Sequence, residues 1–275
     1  GTRPGNIGIG LNAGTAITTG INNTITGTFA GDVLTDADDN TVYGSAALSS
    51  DTLGSRSVAI GSLALQYQNF TTATNAYNVA IGYNAGNAIT TGVQNTLIGG
   101  ISGGNLTTGS SNVAVGYNSL GTEDVGQHNV AIGRDALATQ NTATAANIYN
   151  TAVGSSAGAE ITTGVSNTLI GGLTGDALTI GFSNTALGTA ALGSDTAGNK
   201  NVAIGTNSLI AQNFTTDTDA YNVAVGYDAG TAVTTGVNNT LIGALAGDAL
   251  TDADHNTAVG RASLSADTLG SKSTA

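Results

Sequence analysis

Asn78-Val79-Ala80-Ile81-Gly82 recurs unchanged as Asn129-Val130-Ala131-Ile132-Gly133 and Asn201-Val202-Ala203-Ile204-Gly205. Looser copies begin at Asn6, Asn23, Asn40, Ser57, Asn95, Asn112, Asn150, Asn167, Asn184, Asn222, Asn239 and Asn256, which makes fifteen coils, and a sixteenth opens at Ser273. The spacings run 17, 17, 17 and 21 and then start again, so the longer period is 72. A short unit repeated at a fixed period cannot bury its apolar face alone and does so by stacking on its neighbours. The sequence therefore predicts an all-β fold, a parallel β-solenoid running through residues 1–275 as one continuous domain. Its blocks are 6–77, 78–149, 150–221 and an incomplete 222–275.

Each position of the coil has a physical reason. Glycine follows the triplet in every coil, from Gly10 to Gly260, as expected where the backbone turns with positive φ. The opening Asn suits a ladder of stacked side-chain amides, and Asn also tolerates a left-handed turn. The eighth position is small, as in Ala13, Ala30, Ala85 and Ser102, and the ninth runs Gly, Gly, Leu, Leu through each block. Alternating small and large residues fit a narrow packed interior. No apolar run has helical spacing. Two short strands per coil, stacked about 4.7–4.9 Å apart, predict a rod about 70–75 Å long.

Composition removes several classes of function. The chain of 275 residues has 41 Gly, 1 Pro, no Cys, Met or Trp, and 9% charged residues, against about a quarter in ordinary domains. A net charge of −12 repels nucleic-acid backbones and anionic membrane surfaces, so neither is an expected partner. Without cysteine there is neither a disulfide nor a thiolate metal site. No apolar run approaches the roughly 20 residues of a membrane helix, so this segment is not expected to insert in a membrane, and any anchor is expected outside it.

Alternation along the strand points to assembly. In Val79-Ala80-Ile81 the outer residues face one way and Ala80 the other, yet the middle position is itself apolar in Ile25, Val42, Leu97, Ala131 and Leu241. A strand apolar on both faces is buried on both. One face fills the coil, and the other calls for a second copy of the chain.

The pentad followed by two variable residues and then Ala or Ser resembles the repeat of YadA-like heads in trimeric autotransporter adhesins. Related repeats occur in phage tail fibres, to which Asn222-Val223-Ala224-Val225-Gly226-Tyr227-Asp228-Ala229-Gly230 is similar. The resemblance spans nearly the whole chain, although these coils are longer than the usual head repeat. It implies a left-handed β-roll, a homotrimer, an extracellular location on a cell surface or virion, and adhesion to a host surface protein or glycan. A phage tail-fibre shaft is the alternative.

Candidate chemistry is sparse. There is no Walker-type Gly-Lys-Thr/Ser, no G-x-S-x-G and no Cys/His metal spacing, so no catalytic, cofactor or metal site is expected. His128 and His255 lie seven coils apart; across a threefold axis either could form a ring. Asp32, Asp36, Asp38 and Asp39, with Asp248, Asp252 and Asp254, have oxygen ligands for Ca²⁺, but the second block has Gly104-Asn105-Leu106 there, which favours solvated turns. A file of Thr at the thirteenth position (Thr18, Thr35, Thr52, Thr90, Thr107 and onward) suggests an ice-binding face, although its neighbours are irregular. The third coil of each block carries a phased acid and base: Asp51 and Arg56, Glu123 and His128, Asp195 and Lys200, Asp267 and Lys272. These are expected to form salt bridges between chains. The long fourth coil is expected to bulge, presenting Tyr67, Phe70, Tyr77, Tyr149, Phe214 and Tyr221 for surface contact or for packing between chains.

Overall fold

A computed structural model describes residues 5–275; residues 1–4, included in the predicted solenoid, lie outside the described residues. The fold is an all-β parallel solenoid of about fifteen turns, and the described residues contain no helix. It divides into two compact units. The first runs to Val130 and includes Asn141–Asn147; the second comprises Ala131–Gln140 and Ile148–Ala275.

In the first unit the strands Ile7–Ile9, Thr24–Thr26, Thr41–Tyr43, Val58–Ile60, Val79–Ile81, Thr96–Ile98 and Val113–Val115 pair in parallel with strict register. In the second, Thr151–Val153, Thr168–Ile170, Thr185–Leu187, Val202–Ile204, Val223–Val225, Thr240–Ile242 and Thr257–Val259 do the same. Triplets rich in Val, Ile and Thr suit a pleated surface with one face packed. Their middle residues, among them Ala80, Leu97, Ala114, Leu169 and Ala203, are fully buried. A slip of one residue would bring the outer pair inside. The expectation of two strands per coil holds only in part: second strands occur as Gly54–Ser55 with Thr74–Asn75 and as Gly198–Asn199 with Thr218–Asp219. The corresponding stretch of the second block has the single bridge Gln127–Asn147. Elsewhere the corner-rich remainder of the coil holds its hydrogen bonds without regular strand geometry.

Interior volume is balanced turn by turn. A Cβ on Gly86 would lie 2.7 Å from Leu97 Cδ1 and 3.2 Å from Ile89 Cδ1, so glycine at the ninth position makes room for a large residue at the twelfth. Where the ninth is leucine, as at Leu48, Leu65, Leu120 and Leu209, the twelfth is instead Asp51, Gln68, Glu123 and Gln212, all buried. Each fully buried Leu contributes about 1.5–3 kcal/mol.

The Asn file closes the ordinary turns from Asn6 to Asn239. Asn95 Nδ2 donates to Gly109 O of its own turn at 2.9 Å and to Asn78 Oδ1 at 3.3 Å, while its backbone N–H donates to Asn78 Oδ1 at 2.9 Å. Asn95 Oδ1 in turn accepts from the Asn112 backbone and amide. The left-handed residue is not this Asn but the one before it, as in Gln94 (φ 60), Ser111 (φ 60) and Ser166 (φ 60). That conformation is costly for a side chain and is held by cross-turn bonds such as Gln94 N–H to Ala76 O at 2.8 Å. The strand-ending glycines stack directly. Gly99 has φ +136, and a Cβ there would sit 2.4 Å from Gly116 O.

Candidate functional site

The outward sheet face is the first surface that the fold leaves incomplete. With the middle residue inside, the two flanking residues of each triplet point out. Val79 and Ile81 are half-buried, and Ile98, Ile170, Leu187 and Ile242 are exposed. The result in each unit is a file of outward pairs that is aliphatic on both sides in some turns, such as Val58/Ile60 and Val223/Val225, and pairs one aliphatic residue with Thr in others, such as Thr96/Ile98 and Thr168/Ile170; Thr24/Thr26 and Thr41/Tyr43 carry no aliphatic residue. An exposed contiguous apolar face of this kind marks a contact surface.

Asp51 does not meet Arg56, nor Asp195 Lys200, because acid and base face opposite ways. Asp51 and Asp195 are wholly buried inside their own chain and are out of reach of any neighbour. Asp51 Oδ1 accepts from the Gly54 N–H at 2.9 Å and the Phe70 N–H at 3.1 Å, and Oδ2 accepts from Gln68 Nε2 at 2.6 Å. Asp195 repeats this with Gly198, Phe214 and Gln212. Asp267 is half-buried and takes the Gly270 N–H at 2.8 Å. Burial pushes the Asp51 carboxyl above its ordinary pKa, opposed by the hydrogen bonds from Gln68, Phe70 and Gly54. Gly54 is obligatory, since a Cβ there would lie 2.0 Å from Asp51 Oδ2.

From the acid the polar chain continues inward along the stack. Gln68 Oε1 accepts from Asn78 Nδ2 at 2.8 Å, and Gln212 Oε1 from Asn222 Nδ2 at 2.9 Å. The Gln of the long coil thus joins the buried acid to the Asn file. In the second block the acid is the longer Glu123, and Thr142 stands where the others have Phe. The Thr142 hydroxyl donates to Glu123 Oε1 at 2.8 Å. An extra methylene on the acid is matched by a smaller, hydrogen-bonding neighbour.

The bases stand on the outer edge, in the left-handed position before the Asn file. Arg56 lies 3.6 Å from Asp39, donates to the Tyr77 hydroxyl at 3.0 Å and stacks 5.7 Å from its ring centroid. Lys200 pairs with Asp219 at 2.6 Å and donates to Tyr221 at 3.1 Å, with its Nζ 5.1 Å from the Tyr221 ring centroid. Its hydrogen bond to Lys200 holds the Asp219 carboxyl below its ordinary pKa, and the same bond raises Lys200. Lys272 is exposed, as are His128 and His255 at the equivalent position.

The long-coil aromatics divide as the bases and acids do. Tyr67, Tyr77, Tyr149 and Tyr221 are exposed, whereas Phe70 and Phe214 are buried, with the Phe70 ring against Gly54 beside the Asp51 carboxylate. The two Phe therefore seal the interior acid and do not present themselves for contact. The Thr file is engaged along the stack: Thr35 Oγ1 donates to Thr52 O at 3.0 Å and Thr179 Oγ1 to Thr196 O at 2.9 Å. Asp36 accepts from the Thr19 hydroxyl, Asp38 from the Ile21 N–H at 2.8 Å and Asp254 from the Val237 N–H at 2.8 Å. Among the described residues no three His, Cys, Asp or Glu side chains are grouped to hold a metal ion. A comparison with models of known protein families finds no match, and a comparison with curated proteins finds no relative in sequence.

Proposed function

We propose that the chain is a non-catalytic structural or adhesive segment of an extracellular fibre, assembling with copies of itself as a homotrimer along the outward sheet face. The observation that carries this reading is the aliphatic file on that face. The interior needs no such help: the buried Asn95, Gln68, Asp51 and Asp195 side chains find their partners within the chain. The outward file has none. Burying one Ile or Val there contributes about 1.5–3 kcal/mol, repeated at most turns, and a file repeated on identical chains matches itself turn for turn.

The likeness of the Asn-Val-Ala-Ile-Gly pentads to YadA-like heads supports the same reading, with a left-handed β-roll of 17- and 21-residue coils in 72-residue blocks. The assembled segment would present a repetitive surface to a host protein or glycan, from a cell surface or a virion. A phage tail-fibre shaft would use the same sheet face. The role needs no cofactor, no nucleic acid and no membrane insertion by this segment. Light scattering after size exclusion tests it. Wild-type protein is expected at three chain masses, and Ile81→Asp with Ile98→Asp is expected to yield monomer with an unchanged circular-dichroism spectrum. A monodisperse wild-type monomer in dilute solution would sink the proposal.

A further inference from the structure

All eight tyrosines are outside the core. Two of them stand in line in the first unit. Tyr83 and Tyr117 are 61% and 59% exposed. Each is the residue immediately after a strand-ending glycine, Gly82 and Gly116, and Gly100 holds the same place in the turn between them. Backbone bonds keep the three turns in register: Ile101 N–H to Tyr83 O at 2.9 Å and Asn118 N–H to Gly100 O at 3.1 Å. The Tyr117 ring lies along the bare Gly100, whose Cβ, if built, would meet ring atoms at 3.5 and 3.9 Å. Gly100 itself carries no side chain to stand between the two tyrosines, and neither hydroxyl has a hydrogen-bond partner among the described residues. In most other turns this position is small, as in Thr28, Ser45, Ser62, Gly172 and Thr189.

We propose that Tyr83 and Tyr117 form a platform that binds a neutral β-1,4-linked glycan chain, one sugar ring on each tyrosine. Two turns of a parallel stack separate equivalent residues by about 9–10 Å, which is the rise of one disaccharide in a twofold β-1,4-linked chain. Such a chain turns the same face toward a surface at every second ring. Sugar C–H faces stack on the aromatic faces while the tyrosine hydroxyls stay at the wet edge to hydrogen-bond ring hydroxyls. The chain's charge of −12 repels sulfated and carboxylated glycans, which selects neutral ones. The rings stand in the turn beyond the glycine, outside the triplets that carry the Val and Ile file. The proposal deepens the attachment reading above by naming the class of its ligand.

Calorimetry of the full chain with cellohexaose and with chitohexaose tests it, with an oligogalacturonate as the charged comparison. At least one neutral hexaose binds and the oligogalacturonate does not. Tyr83→Ala and Tyr117→Ala each weaken binding at least about ten-fold. Gly100→Gln, which raises a side chain between the rings, weakens it as well. Tyr227→Ala leaves affinity unchanged, because Tyr227 stands between Thr206 and Ala244 with no second ring in line. Failure of both neutral glycans to bind, or binding that survives the Tyr83→Ala/Tyr117→Ala double variant, overturns the platform. Light scattering on the same samples separates the two readings: trimers that ignore glycan refute the platform alone, and glycan-binding monomers refute the assembly alone.

Discussion

Replacing Asn95 by Ala removes one rung of the buried amide file, and its cost can be worked from the partners it strands. Gly109 O loses its donor at 2.9 Å, and the Asn112 N–H loses its acceptor at 3.0 Å. The Asn78 and Asn112 side chains keep other partners, Gly92 O and Gly126 O. Two buried backbone groups left without partners cost about 1–3 kcal/mol each, so about 2–6 kcal/mol in total. The comparison is Asn201→Ser, which copies the serine that opens the equivalent coil at Ser57. The Asn201 amide donates only to Asn184 Oδ1, at 3.1 Å, and reaches no carbonyl across its turn. Asn201 Oδ1 also accepts from the Asn222 N–H at 3.2 Å, so the substitution strands one buried backbone group against two and is expected to cost about 1–3 kcal/mol. Urea unfolding with an unchanged slope measures both values, and amide hydrogen exchange at Asn112 reports the stranded N–H directly. If Asn95→Ala costs no more than Asn201→Ser, and Asn112 exchanges as in wild type, the file does not hold the turns together.

Four further outcomes follow from the geometry. Gly99→Ala drives a Cβ into Gly116 O and is expected to cost more than about 3 kcal/mol, whereas Gly260→Ala, at φ +128 with nothing within 4 Å, carries only about 1–3 kcal/mol of backbone strain; melting temperatures of the two variants compare them. Asp51 has its folded pKa raised, so its contribution to stability is full below the ordinary Asp range and is lost as pH rises through the folded value. Asp51→Asn should therefore gain on wild type as pH rises above the ordinary Asp range, and a thermal-stability difference that stays flat as pH rises refutes the burial argument. Glu123→Asp and Thr142→Phe should each destabilise alone and recover when combined, with a coupling of about 0.5–3 kcal/mol in a double-mutant cycle. Lys200→Ala removes an exposed pair with Asp219 and the contact with Tyr221 and should lower stability by no more than about 1 kcal/mol, read as a small shift in melting temperature.

The turn period, the glycine corner and the two-sided strand were legible because each rests on residue type at fixed spacing. The amide file was legible too, since Asn opens nearly every coil. What the residues themselves obscured was direction. Asp51 and Arg56 lie five apart with opposite charge and read as a pair, yet the twelfth position of the coil points inward and the seventeenth outward. A signal was present: Ile17, Leu34, Asp51 and Gln68 occupy one position in successive coils, so the acid stands where the neighbouring coils keep a core aliphatic. The same confusion joined Phe70 to Tyr67 and Tyr77, although only the ring without a hydroxyl went inside. The left-handed residues were hidden for a different reason. Leu65, Leu120 and Leu209 adopt φ of 49, 50 and 52, against their own preference, because cross-turn hydrogen bonds outweigh it.

The handshake from buried acid to Gln to Asn has a genetic consequence. Unequal recombination between such similar coils will readily lengthen or shorten a gene of this kind. Loss or gain of a whole 72-residue block rejoins each turn to the same neighbour it had before. Loss of the 17-residue coil that holds the acid does not: without the coil of Asp195, Gln212 would meet Leu178, and a buried amide would face a hydrocarbon. Alleles of different length should therefore differ by whole blocks or by one aliphatic coil such as that of Leu178, and seldom by the coil of the acid alone.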